Sequence, residues 1–224
     1  MFLKVNRGRR VKGLTCADGW KQRKKAVTGD ATFPTASTKS ILTTSTIDAH
    51  EWYNVGIYKI LGFFLSSDID EDMKMALLGM LAKLMVNIVP QIYRHHLIYE
   101  KRMSALYTTL NKALYGWLRS AFLLHERIVA DISGKGFEIN PCNPCVANKI
   151  IGGKKITVSW CVDDLKVLHV DPKGVTNFIE WLEGISGELR ITRGKVHEYF
   201  GMTLDFRTPV DLWVTVVDCL KGVM

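Results

Sequence analysis

The sequence has little of what holds a secreted or membrane protein together. Its five cysteines are an odd number for a disulfide framework, and they are scattered. Cys142-Asn-Pro-Cys145 has the spacing of half a zinc site, but no second pair completes it. A redox motif of that spacing opens a helix, whereas Pro144 and the residues after it read as the start of a strand. No stretch reaches the roughly 20 apolar residues of a membrane span. The most apolar one, Met75 to Val89, is interrupted by Lys83 and Asn87. Basic residues, not an apolar core, follow the opening Met-Phe-Leu-Lys, so no secretory signal is expected. An intracellular chain, cytoplasmic or nuclear and without a membrane partner, is the expectation. Internal repeats and low-complexity tracts are absent as well.

Acidic residues are scarce at the N-terminus. Residues 1–25 carry nine cations, among them Arg9, Arg10, Lys12, Lys21, Arg23, Lys24 and Lys25, against the single acid Asp18. That surplus equals the +8 net charge of the whole chain. Such an arm suits a phosphate backbone. A solvated terminus or a targeting signal has the same composition. The length of 224 residues favours one domain with subdomains, and 47% hydrophobic residues are enough for a buried core.

The most informative stretch is Ile156 to Val170. Ile156, Val158, Trp160 and Val162 share a parity, the period of a half-buried strand. A second apolar run follows Asp163-Asp164. Aspartate is depleted in strands and tolerated in turns, which places the pair at a hairpin tip. Two adjacent carboxylates repel unless a cation, a donor or water relieves them. With a divalent metal the tip is half an active site; with water it is an ordinary exposed turn.

The rest of the chain supplies a frame for that tip. Ser37 or Thr38 caps a helix through Ile41, Ile47 and Ala49. Val55 to Leu65 reads as a buried strand that contains an odd residue, Lys59. Asp68, Asp70, Glu71 and Asp72 then read as the acidic first turn of a helix that continues through Met73 to Met85. From Leu114 the spacing of Leu118, Ala121, His125, Ile128 and Ile132 predicts a third helix, stopped at Gly134 to Gly136. A meander follows: Val146 to Ile151, a turn at Gly152-Gly153, Lys155 to Val162, the tip, and Leu165 to Val170. Asp171-Pro172 opens a helix closed by Gly187, and Arg190 to Phe206 holds another strand pair. The order predicts an α+β fold, an antiparallel sheet with helices on one face.

Trp160-Cys-Val-Asp-Asp164 resembles the Y-V-D-D hairpin of reverse transcriptases. Lys112-Ala-Leu-Tyr-Gly116 resembles the K-A-L-Y-G-L-K-Q-A-P segment of copia-type retrotransposon polymerases. Lys12 to Gln22 resembles their K-A-R-L-V-A-x-G-x-x-Q segment, Gly62 to Leu65 the end of their first catalytic strand V-D-V-x-x-A-F-L, and Tyr199 to Met202 their Y-L-G strand. The pieces come in the family's order over about residues 1–206. The resemblance implies a palm-like sheet with a partial fingers subdomain: residues 1–50 as basic fingers, 51–206 as palm with the remaining fingers elements, and 207–224 as the start of a thumb or connection. It implies RNA-directed DNA synthesis with magnesium or manganese. RNA template, DNA primer and deoxynucleoside triphosphates are the implied partners, with other parts of a retrotransposon polyprotein. Asp163 and Asp164 are then the catalytic and metal-binding carboxylates, and Lys12 meets the triphosphate.

The sequence departs from that pattern where it matters most. Lys59 stands where the first-strand aspartate of V-D-V belongs, and Leu14 replaces the arginine of K-A-R. The chain also begins within the family's fingers and stops before most of a thumb. The expectation is a truncated, degenerate copy in which Lys59 projects toward Asp163 and Asp164 and divalent binding is poor. The alternative is a non-catalytic nucleic-acid-binding remnant, and a third reading is a product without a selected role.

Overall fold

The computed structural model describes residues 2–5, 11–14, 16, 34–60, 62, 65, 67–100, 102–117, 119–187 and 189–216. In chain order the elements begin with β1 (Phe2–Val5), β2 (Val11–Leu14), α1 (Thr38–His50) and β3 (Asn54–Ile60). Next come β4 (Asp68–Leu78), α2 (Met80–Ile88), α3 (Pro90–Tyr93), β5 (Leu97–Glu100) and β6 (Met103–Lys112). Then follow α4 (Ser120–Gly134), β7 (Glu138–Asn140), β8 (Asn143–Ile151), β9 (Lys154–Cys161) and β10 (Asp164–His169). The last are α5 (Pro172–Ser186), β11 (Leu189–Arg193), β12 (Val196–Tyr199), β13 (Met202–Asp205) and β14 (Trp213–Thr215). Among the described residues every strand pairing is antiparallel, and the fold is α+β. Among the described residues no helix is long and apolar enough to cross a membrane.

The chain forms two compact units, Met1–Thr28 with Phe64–Leu123, and Gly29–Phe63 with Leu124–Met224. The first unit contains the β1–β2 hairpin and a three-stranded sheet in the order β4-β6-β5. Two expectations are corrected in this unit. The acidic run expected to begin a helix lies in strand β4, and the helix starts only at Met80. Gly79, at φ +60°, turns the chain between them. β4 pairs with β6 over Leu78–Ala105 to Met73–Leu110, and Asp68 meets Lys112 at 2.6 Å. A long partner strand decides the state against a weak local helix preference. The helix expected from Leu114 also starts late, at Ser120. Gly116, at φ +89°, makes a turn first, and the Ser120 hydroxyl donates to the Leu114 carbonyl at 2.7 Å.

The second unit is built on a six-stranded sheet in the order β11-β3-β10-β9-β8-β7. The three strands of the meander form as expected, but the expected tip at Asp163-Asp164 is corrected: the turn is Val162-Asp163, and Asp164 pairs with Cys161 as the first residue of β10. Gly152 and Gly153 turn β8 into β9 with φ of +56° and +75°, the backbone that a two-residue type I′ turn requires. Asp171 caps α5 through Lys173 N–H at 2.9 Å, with Pro172 in the first helical position.

The helices do not lie on one face. Leu165 pairs with Trp160, and Trp160 Nε1 donates to His125 of α4 at 3.4 Å. Lys166, of opposite parity, pairs with Ser159 and reaches α1. α5 packs on the first of these faces, where its Phe178 meets Phe137 edge-to-face at 5.5 Å and Val175, Ile179 and Leu182 are buried. With both faces covered, Thr157 and Ser159 are buried as fully as Val158 and Trp160. Small hydroxyl side chains on the α1 face escaped a reading that looked for apolar alternation. Each large apolar side chain buried on the α4–α5 face contributes about 1.5–3 kcal/mol, as an upper estimate.

Candidate functional site

The β9–β10 turn is two residues, Val162 and Asp163, so Asp164 is already the first residue of β10. Val162 sits at φ +57°. That is the first-position backbone of a type II′ turn, usually given to glycine, and for a β-branched residue it is strained by about 1–3 kcal/mol. The turn is held from the next strand by Ile60 N–H, which donates to the Asp163 carbonyl at 3.1 Å.

Register then decides what faces the carboxylates. Asp164 lies opposite Lys59 on β3 and opposite Cys161 on β9, and Lys59 in turn lies opposite Arg190 on β11. Arg190, Lys59, Asp164 and Cys161 therefore form one row across one face of the sheet. The Lys59 ammonium is 2.8 Å from Asp164 Oδ1 and 3.1 Å from Asp163 Oδ2. Partial burial opposes the charge on Lys59, but the Asp164 hydrogen bond and the two carboxylates outweigh it and raise its pKa above the ordinary lysine value. Burial, with the nearby Asp164 and Asp163 charges, pushes the Cys161 thiol up, so it is not a ready thiolate.

Two residues further along β10, on the same face, is a second lysine–carboxylate pair. Lys166 is fully buried and donates to Thr44 Oγ1 at 3.0 Å, Ser45 Oγ at 2.8 Å and Asp48 Oδ2 at 2.9 Å. Burial presses Lys166 down and Asp48 up, and each is opposed by the other's charge.

Of the residues expected at the site, Asp163 and Asp164 come together, and Lys59 projects onto both. Lys12 lies on β2, opposite Lys4, in the other unit; its side chain is outside the described residues. Arg9, Arg10, Lys21, Arg23, Lys24 and Lys25 are outside them too. Sequence reasoning missed Arg190, Lys166 and Asp48. A count of parity from Asp164 finds Lys166; nothing local points to Asp48.

The donor set suits a divalent cation poorly. Magnesium takes hard oxygen ligands at about 2.0–2.1 Å in a near-octahedral shell. Here each carboxylate directs an oxygen at the ammonium. Among the described residues no group of three Asp, Glu, His or Cys side chains is placed to hold a metal.

No family model and no curated protein matches the sequence. Solved structures that the fold matches include telomerase from Candida tropicalis, with 8% identity, a TM-score of 0.44, and 86% of this chain against 38% of that one. Another is telomerase from Candida albicans in complex with a TWJ fragment of telomeric RNA, with 10% identity, a TM-score of 0.43, and 88% of this chain against 36% of that one. The chain thus spans less than half the length of the proteins it matches.

Proposed function

We propose that this chain is a reverse-transcriptase-like domain of the copia retrotransposon type that binds nucleic acid and does not extend a primer. The observation that carries the reading is the lysine in the row opposite the aspartate pair. Residue 59 stands beside the Asp163–Asp164 tip, where the family resemblance calls for a third carboxylate, and it is a cation hydrogen-bonded to Asp164 at 2.8 Å. The ordered family-like segments support the class. On this reading the basic arm tracks the phosphates of an RNA template and DNA primer, and Lys12 keeps the position that meets a triphosphate. Magnesium or manganese, the family's cofactors, have no fitting donor set at the tip, so no chemical step is assigned to it. A remnant that only binds nucleic acid is the functional consequence, whether alone or within a larger polyprotein.

The test is twofold. Affinity for an RNA·DNA duplex is measured against salt for the native chain and for one carrying glutamine at Arg9, Arg10, Lys21, Arg23, Lys24 and Lys25. Every phosphate that the substituted chain no longer neutralises should flatten the log–log salt slope by about 0.9. Primer extension is assayed with magnesium and with manganese. A steep slope that the substitutions flatten, with no extension, supports the proposal. A flat native slope overturns the nucleic-acid reading, and extension abolished by Asp163→Asn overturns the silent one.

A further inference from the structure

We infer that the Lys59 ammonium is a built-in counter-ion that closes the Asp163–Asp164 tip to divalent cations, so that this hairpin holds two adjacent carboxylates together without a metal. The inference rests on the proposed reading of the tip as a metal-type carboxylate pair, and it adds how that pair is kept stable and what the tip excludes.

Three observations carry it. The first is placement. The β3–β10 register sets Lys59 directly opposite Asp164, and Ile60 N–H ties the turn to the same strand, so the lysine is positioned by backbone pairing. The second is geometry. One ammonium lies 2.8 Å and 3.1 Å from oxygens of both carboxylates, so a cation bound between them must first displace it. The third is charge. A lysine where the resemblance calls for an aspartate moves the tip two units toward positive. Arg190, exposed in the same cross-strand row, adds another positive charge on that side. A divalent ion entering this row meets the Lys59 ammonium, which is partly withdrawn from water and screened less than a surface charge such as Arg190.

Attraction between the acids and Lys59 also explains how the tip tolerates its backbone. Asp163 and Asp164 are neighbours in sequence and both reach one ammonium, so without a counter-ion their repulsion adds to the strain at Val162. The ammonium relieves that repulsion without a metal for as long as Lys59 keeps its proton.

The experiment uses the full chain with manganese as the probe. Free manganese is counted by electron paramagnetic resonance, and its location is read from relaxation broadening of the Ile60, Asp163 and Asp164 amide signals. The native chain is compared with Lys59→Asp, Lys59→Met and Arg190→Gln. Removing a charge a few ångströms from the site changes affinity by at least about tenfold near a surface, and reversing it by at least about a hundredfold. The expected result is no broadening at these amides in the native chain at concentrations that saturate Lys59→Asp. Lys59→Met should fall between them, and Arg190→Gln should gain least. Broadening in Lys59→Asp should vanish when Asp163→Asn is added. Lys59→Met keeps a long apolar stem, so it tests the idea even if Lys59→Asp fails to fold. Two results overturn the inference: native broadening at Ile60 that Asp163→Asn removes, or a folded Lys59→Met that binds manganese no better than the native chain. Nucleic-acid affinity is not read at all, so failure of the proposed function and failure of this inference are distinct outcomes.

Discussion

Two lysine–carboxylate sites lie on the same face of one sheet, two residues apart along β10, and they differ in almost everything else. At the rim, Lys59 serves two acids, and its side chain is 36% exposed. Inside, Lys166 serves one acid with two hydroxyls, and both charged side chains are 0% exposed. The inner pair is buried against α1. The outer pair is partly exposed to water. The sheet thus places one ion pair where desolvation makes it indispensable once formed, and another where water screens it. The first is architecture. The second stands where the resemblance puts chemistry.

Breaking the inner pair should have the largest effect. Lys166→Met leaves Asp48 as a buried carboxylate without its cation, and Asp48 Oδ1 already has no hydrogen-bond partner among the described residues. Removing one member of a buried pair costs about 3–5 kcal/mol, whereas replacing both by apolar groups is often neutral. Urea unfolding should therefore show a large loss for Lys166→Met and recovery of most of it in Lys166→Met/Asp48→Leu. A single-substitution loss below that of an ordinary surface change would erase the distinction drawn between the two sites.

How far each site was legible follows from the range of its contacts. The rim site was legible to within one residue because its parts are local: alternation from Ile156 to Trp160, and a Gly152-Gly153 turn that fixes the register of β8 against β9, with the tip one residue earlier than read, at Val162-Asp163. Only the pairing with Lys59 is distant, and the resemblance supplied it. The inner site joins Lys166 to Asp48 across 118 residues of sequence, and its neighbours Ser45 and Ser159 carry no apolar signal. The same blindness produced the one-face expectation for the helices, since a helix packed on serine and threonine leaves no hydrophobic stripe in the strand beneath it. The acidic run at Asp68 misled for a different reason: pairing of β4 with β6, some thirty residues later, outweighs a local charge preference.

A sharper comparison comes from the turn that carries the rim site. Val162 is strained at φ +57°, so Val162→Gly should stabilise the chain by about 0.5–1 kcal/mol net, since glycine also gains freedom in the unfolded state. The inner site has no counterpart, and no substitution around Lys166 should raise stability without removing a charge. A thermal midpoint lowered by Val162→Gly would show that the tip needs the branched side chain more than a relaxed backbone.

The smallest expected effect is the most telling about the rim pair. A partly exposed ion pair is screened and contributes about 0–1 kcal/mol, so Lys59→Met should lower stability far less than Lys166→Met. Its pH dependence has a definite sign. The folded-state pKa of Lys59 is raised. Its contribution is therefore fully present below the ordinary lysine value of about 10.5, and it is lost as pH rises beyond that through the folded value. Acidic and neutral pH leave the lysine side of the pair untouched. The measurement is an alkaline titration of the Lys59 side-chain carbon signal in the native chain and in Asp163→Asn/Asp164→Asn. The native midpoint should lie above that of the double variant, because partial burial alone, without the two acids, lowers a lysine pKa. Coincident midpoints would mean that water, and not the carboxylates, solvates the ammonium. The rim pair would then be a crowded surface turn, with nothing to set it apart from the exposed Lys74–Asp72 contact at 3.6 Å in the other unit.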